Sequence, residues 1–212
     1  SERFKRATTY TASIPAGLRS QDEGVLQDAY RWEFSSERPR VEAISPQRDY
    51  DFASPTASVS ATFNQDINPT SITDKFIVYD KNKNKVPGRV VVTGRVVGFY
   101  ASQPLAREQQ YEAVVEQGIQ STEGPNGMET DYSWPFKVAA KPAVISSDPA
   151  NGDKDVKEEH SIEILFKTPM DEKSFKNNVI IDPTPAREPS LSFSSYNNKN
   201  TLFISTYLAR SK

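Results

Sequence analysis

The 212-residue chain balances 26 basic against 28 acidic side chains, a net charge of −2, and contains no cysteine. Its length allows one to two domains with a real hydrophobic core in each. The scattered, balanced charge offers no footprint for nucleic acid or an anionic membrane, absent thiols exclude disulfides and zinc–cysteine sites, and no apolar run is long enough to span a bilayer.

In chain order, Phe4 is followed by Tyr10, Ala12 and Ile14 on one face of a strand that Pro15-Ala16-Gly17 ends. A polar loop from Ser20 to Gly24 leads through Leu26 to Tyr30, Trp32 and Phe34, three aromatics on alternate residues. That is the period of a strand with one face in a core. The plan recurs about a hundred residues on: Leu105, then Tyr111, Ala113 and Val115, then Tyr132, Trp134 and Phe136. The offset is 102 at each aromatic of the second strand (132−30, 134−32, 136−34) and 101 at the tyrosines (111−10). One extra residue therefore sits in the intervening loop, at the turn Gly124-Pro125-Asn126-Gly127.

Glu37-Arg38-Pro39 reads as a junction, after which Val41, Ala43 and Ile44 open a new repeat; Ala139-Ala140-Lys141-Pro142, with Val144 and Ile145 beyond, is its later counterpart. From there the match is tight at an offset of 103. Pro46 aligns with Pro149, Val59 with Ile162, Ala61 with Ile164 and Phe63 with Phe166. Ile72 aligns with Phe175, Phe76-Ile77-Val78 with Val179-Ile180-Ile181, Phe99-Tyr100 with Leu202-Phe203, and Leu105-Ala106-Arg107 with Leu208-Ala209-Arg210. Hydrophobic class is kept where identity is not, as a shared core requires. Asn68-Pro69-Thr70-Ser71 and Asp171-Glu172-Lys173-Ser174 each carry an N-cap signal for a single helical turn between strands. Asp80 to Lys85 reads as a polar hairpin turn between two strands.

Phe166, Met170-Asp171 and Ser174, the turn Pro149-Ala150-Asn151-Gly152, and the run Tyr10, Ile14-Pro15-Ala16-Gly17, Tyr30, Trp32, Phe34 together resemble the bacterial Ig-like domain of S-layer type. The resemblance covers nearly the whole chain. Pro104-Leu105-Ala106-Arg107 and Arg38-Pro39-Arg40-Val41 look most like the copies found in tandem in bacterial alpha-2-macroglobulin-like proteins, a protease-inhibitor family. The resemblance implies an all-β fold of tandem Ig-like β-sandwiches. One complete domain, 39–141, is expected between the last two strands of a preceding domain, 1–38, and a domain lacking its last two strands, 142–212. It implies a non-catalytic segment of a large bacterial extracytoplasmic protein, at the cell surface, in the periplasm or secreted. The thioester of the alpha-2-macroglobulins needs a cysteine, which this chain lacks.

An Ig-like sandwich without two strands exposes an edge and half a core, and such a surface pairs readily with another chain. The expected partners are neighbouring Ig-like domains and a second copy reached by strand exchange, with no nucleic acid. The alternative is a surface module gripping a protein, a glycan or Ca2+ through its loops.

No catalytic residue and no cofactor is expected. His160, the single histidine, reads as a strand-edge residue beside Glu158 and Glu159 rather than as a catalytic base. Asp148, Asn151, Asp153 and Asp155 share one loop and are candidate Ca2+ ligands, though their spacing is not that of an EF-hand. Asp80, Asn82 and Asn84 fit the first EF-hand positions, but Lys85 stands where Gly is needed. Tyr10, Tyr30, Trp32, Phe34, Phe63, Tyr111, Tyr132, Trp134, Phe136 and Phe166 are assigned to the core. Tyr10 and Tyr111 also fit a tyrosine corner, in which the hydroxyl bonds nearby backbone.

Overall fold

The computed structural model describes residues 3–157, 160–175, 178–185, 188–194 and 200–205. The chain folds as two units, Ser1–Val138 and Ala139–Lys212. Among the described residues every regular element is a strand, apart from two single turns of 3-10 helix.

Unit 1 begins with a hairpin, β1 (Thr9–Ile14) and β2 (Tyr30–Ser35), paired with Tyr10 opposite Phe34, Ala12 opposite Trp32 and Ile14 opposite Tyr30. The middle repeat follows as eight strands: β3 (Val41–Ser45), β4 (Tyr50–Ala53), β5 (Val59–Phe63), β6 (Phe76–Asp80), β7 (Gly88–Thr93), β8 (Val96–Ala101), β9 (Gln110–Val115) and β10 (Tyr132–Val138). They form two four-stranded sheets, β3-β5-β8-β7 and β4-β10-β9-β6, packed face to face as a β-sandwich. Alternation decides which side chains meet inside: Val59, Ala61 and Phe63 from β5, Tyr111, Ala113 and Val115 from β9, and Trp134, Phe136 and Val138 from β10 are all buried. Trp134 lies 5.9 Å from the Phe76 ring, and Phe76 lies 6.3 Å from Phe99 of the opposite sheet.

Asn68 caps the first helical turn, its side chain accepting a bond from the Thr70 N–H at 3.1 Å. Asp171 does the same for the Lys173 N–H at 3.1 Å before the second turn, Glu172–Phe175. The turn after β6 closes as a short hairpin, with the Asp80 N–H donating to Asn84 O and the Val86 N–H to Val78 O. Beyond it the chain does not return beside β6. Pro87 and Gly88 carry it across, so β6 and β7 sit in different sheets and the turn bridges the two layers.

Unit 2 contains β11 (Val144–Asp148), β12 (Ile162–Phe166), β13 (Ser190–Phe193) and β14 (Thr201–Ser205) in one sheet, ordered β11-β12-β14-β13. At the 103-residue offset this is the β3-β5-β8-β7 sheet again. The second sheet has no counterpart among the described residues. Residues 153–156 and 179–183, which align with β4 and β6, carry no strand. In unit 1 β4 pairs only with β10 and β6 only with β9, so these segments have no ladder to join here. Beyond the two strands expected to be missing, the counterparts of β4 and β6 are therefore also not formed among the described residues. The aligned residues Leu208, Ala209 and Arg210 lie outside the described residues.

Candidate functional site

The carboxylate loops are occupied with their own turns. Asp80 Oδ1 accepts the N–H groups of Asn82 and Asn84 at 2.8 and 2.9 Å, and Oδ2 accepts Asn84 Nδ2 at 3.1 Å. The Asn84 amide holds the Asp80 carboxyl below its ordinary pKa. In the later loop Asp153 Oδ2 accepts the Ala150 N–H at 2.8 Å, closing the turn at Asn151-Gly152, and Asp155 takes a left-handed φ of 58°. Asp148 Oδ2 lies 3.2 Å from His160 Nε2, an ion pair when the imidazole is protonated. Glu158 and Glu159 lie outside the described residues. Among the described residues no three His, Cys, Asp or Glu side chains converge as a metal site would require.

The aromatic residues divide by copy. Phe63, Tyr111, Trp134, Phe136 and Phe166 are buried and Tyr132 is half-buried. Tyr10 is half-buried, and Tyr30, Trp32 and Phe34 are exposed at 62%, 40% and 37%. For those three the assignment to a core does not hold within this chain, because β1 and β2 form a two-stranded sheet with no second layer among the described residues. Their geometry is nevertheless that of the buried copy. Tyr10 stacks on Phe34 at 5.6 Å and 20°, and Tyr111 on Phe136 at 5.7 Å and 21°. Both tyrosine hydroxyls accept a backbone N–H five residues upstream, Lys5 at 2.7 Å and Ala106 at 2.9 Å. Both copies therefore have the tyrosine-corner bond.

What the sequence did not reveal is the joint between the hairpin and the middle repeat. Asn64, buried, uses its whole amide on the connecting segment: Oδ1 accepts the Arg40 N–H at 2.9 Å and Nδ2 donates to Arg38 O at 3.0 Å. Gln65 Nε2 donates to Glu37 O at 3.2 Å. The foot of the hairpin is fixed from the other side, where the Ala7 N–H donates to Glu37 O and the Asn126 N–H to Ala7 O. Arg6 Nη1 reaches Asn64 O at 2.9 Å, and Arg3 pairs with Glu123 at 3.0 Å. Gly124 packs directly on the hairpin backbone: an added Cβ would stand 2.3 Å from Arg6 O and 2.4 Å from Ala7 O. Two adjacent polar residues ending an apolar strand, Asn64-Gln65, were the available signal. The repeat masked it, since Lys167-Thr168 stand at the aligned positions.

Comparison with known proteins places these features in a family. No curated protein matches this chain. Among solved structures it is similar to the N-terminal part of the bacterial S-layer protein SbsC, at 19% identity and a TM-score of 0.39, over 80% of this chain and 38% of that one. It is similar also to surface layer protein SbsC, domains 1-6, at 20% identity and a TM-score of 0.39, over 80% of this chain and 22% of that one. This chain thus spans well under half the length of either. The bacterial Ig-like domain family matches twice in succession, over residues 35–138 and 139–212. With most of its length inside those two matches, the chain belongs to the bacterial Ig-like domain family.

Proposed function

We propose that this chain is a non-catalytic structural and interaction segment of a large bacterial extracytoplasmic protein. In it, the end of one Ig-like domain is fixed to the start of the next through the segment between β2 and β3. The observation that carries this reading is the joint around Asn64, Ala7 and Gly124. A flexible tether between domains has a solvated backbone, whereas here Glu37, Arg38 and Arg40 of the connecting segment give backbone hydrogen bonds to the next domain. Family membership supports a bacterial source. The sequences at 38–41 and 104–107 support an alpha-2-macroglobulin-like parent, in which protease trapping belongs to other domains. A gene whose downstream region lacks macroglobulin domains removes that parent.

Amide hydrogen exchange on the chain tests the joint. The Ala7, Arg40 and Asn126 amides are expected to exchange as slowly as the strand amides of the middle repeat. Asn64→Ala is expected to speed all three by at least about tenfold, through loss of two buried bonds. Exchange of these amides at loop rates in the unmutated chain would refute a fixed joint.

A further inference from the structure

We propose that β7 is a docking edge at which two copies of this chain pair antiparallel about a two-fold axis through Val90, joining their β3-β5-β8-β7 sheets into one. The proposal rests on the interaction half of the reading above and gives it a surface, a partner and a register.

The middle repeat has four edge strands, and three of them are blunted. β3 breaks its register with a bulge between Val41 and Ala43, and β4 is four residues long with an irregular pairing to β10. Beyond β6 the chain doubles back, so that Tyr79 bridges Lys85 and the Val86 N–H donates to Val78 O. β7 has no such device. It runs six residues in unbroken register with β8, holds three successive valines and contains neither proline nor an acidic residue. Among the described residues it has a strand on one side only. An edge of this kind is a template for a further strand.

The phase of its hydrogen bonds fixes which groups it offers. The Ser102 N–H donates to Pro87 O, and on the other side of β8 the Phe63 N–H donates to Arg95 O. Bonded and non-bonded pairs alternate along an antiparallel ladder, so Arg89, Val91 and Thr93 turn their backbone groups toward β8. Gly88, Val90 and Val92 turn theirs outward. Their side of the strand is also the inner one: Val90 and Val92 pack on the core, and a Cβ at Gly88 would stand 2.3 Å from the Phe99 ring. Beside them, between β6 and β7, opens a groove of about 320 Å3 lined by Phe76, Ile77, Val86, Gly88, Val90 and Phe99.

This edge is complementary to itself. A two-fold axis through Val90 sets Val90 opposite Val90 and Gly88 opposite Val92 of the second copy, which pairs every outward N–H and C=O of the three residues. Each Val92 then meets a glycine, at the place where the Phe99 ring leaves no room for a side chain on the same strand. On the outer face Arg89 falls opposite Val91 of the second copy, so the two arginines do not face each other directly. Each guanidinium is moreover drawn back from the edge, lying 4.9 Å from the ring centre of Tyr100 on β8. An axis through Val91 would instead set Gly88 opposite Gly94, whose carbonyl already accepts the Ile67 N–H. The contact is isologous and closes as a dimer.

The test uses the 212-residue chain, which has no cysteine of its own. Sedimentation velocity up to about 1 mM is expected to show a monomer–dimer equilibrium. Val91→Lys, set against Arg89 of the other copy at two symmetric places, is expected to weaken the dimer about three- to tenfold, and Val91→Glu to strengthen it. Both side chains lie on the outer face, so the unfolding of the sandwich is the control. Arg89 and Val91 of different copies form a non-bonded pair with Cα atoms about 4.5 Å apart, within disulfide reach. An Arg89→Cys chain mixed with a Val91→Cys chain is therefore expected to give a linked heterodimer under mild oxidation. A chain that stays monomeric overturns the proposal and leaves the edge to a strand of different sequence. A dimer on which lysine and glutamate at 91 act alike also overturns it, as does Val91→Cys linking to itself in preference to Arg89→Cys. Slow exchange of the Ala7 and Asn126 amides in a monomer would leave the fixed joint standing and remove only the dimer.

Discussion

The middle and last repeats share a hydrophobic pattern over most of their length, yet among the described residues the middle one makes two sheets and the last one makes one. Phe76-Ile77-Val78 is a fully buried strand, while its counterpart Val179-Ile180-Ile181 is no strand at all. The two triplets have similar β propensity. What differs is that β9 lies beside the first, with Phe76 opposite Val115 and Val78 opposite Ala113, and nothing lies beside the second among the described residues. Strand propensity thus describes a fit to a half-buried pleated surface, and the surface has to be present. The first sheet shows the converse. β3, β5, β7 and β8 recur as β11, β12, β13 and β14 because their partners are all supplied within the repeat.

The sharpest way to break this comparison is to remove the tryptophan from each hairpin in turn. Trp134→Ala is expected to cost about 3–5 kcal/mol in chemical denaturation, since the ring is wholly buried between Phe76 and Tyr132. Trp32→Ala, measured at dilution, is expected to cost about 1 kcal/mol or less. Trp134→Phe should recover much of the loss, because the buried indole N–H has no acceptor to leave behind.

Next in size is the joint, whose chemistry differs at its two occurrences. The Asn64 N–H donates to Arg40 O and the Lys167 N–H to Ala143 O, so the backbone bond is kept. Lysine, however, has no acceptor to offer the connecting segment in place of Asn64 Oδ1. Gly124→Ala is expected to push the hairpin off the middle repeat at a cost of about 1–3 kcal/mol, read as faster exchange at Ala7 with the sandwich amides unchanged. If Ala7 stays protected, the close approach is not what holds the hairpin.

A smaller effect separates the two tyrosine corners. Tyr111→Phe should lose about 1 kcal/mol with the bond to Ala106, while Tyr10→Phe, on the more exposed copy, should lose less. Equal losses would mean that burial does not set the strength of the corner.

Smallest of all is a titration. The Asp80 carboxyl is held below its ordinary pKa by the Asn84 amide, so it stabilises its turn above the unfolded value near 4. That contribution is lost as pH falls through the lower folded value. NMR titration should place the Asp80 midpoint below its value in the unfolded chain. A midpoint at the ordinary value would show that the turn does not use the carboxylate.

Much of this architecture was legible in the residues. Aromatics on alternate positions a hundred residues apart gave the hairpins, and a side-chain oxygen before Pro69 or Glu172 gave the two capped turns. The sheet assignment of β6 and β7 was not legible, because a polar turn between two strands reads the same whether the strands pair or part. Nor was the failure of residues 179–183 to form a strand, since local sequence does not name a strand's neighbour. The joint escaped for a third reason. Asn64 and Gly124 act on backbone from elsewhere in the chain, so their importance lies in what they touch and leaves no periodic mark.

The parallel pairing of β4 with β10, where Tyr50 meets Phe136 and the Asp49 N–H reaches Pro135 O, also bears on how the domain carries load. The chain comes in at one pole at the start of β3, turns into β4 at the far end of that strand, and leaves from the end of β10 beside it. Tension between neighbouring domains would pull β4 and β10 past each other along their length. Their hydrogen bonds would then be sheared together instead of unzipping one at a time, a geometry suited to a link under steady mechanical stress.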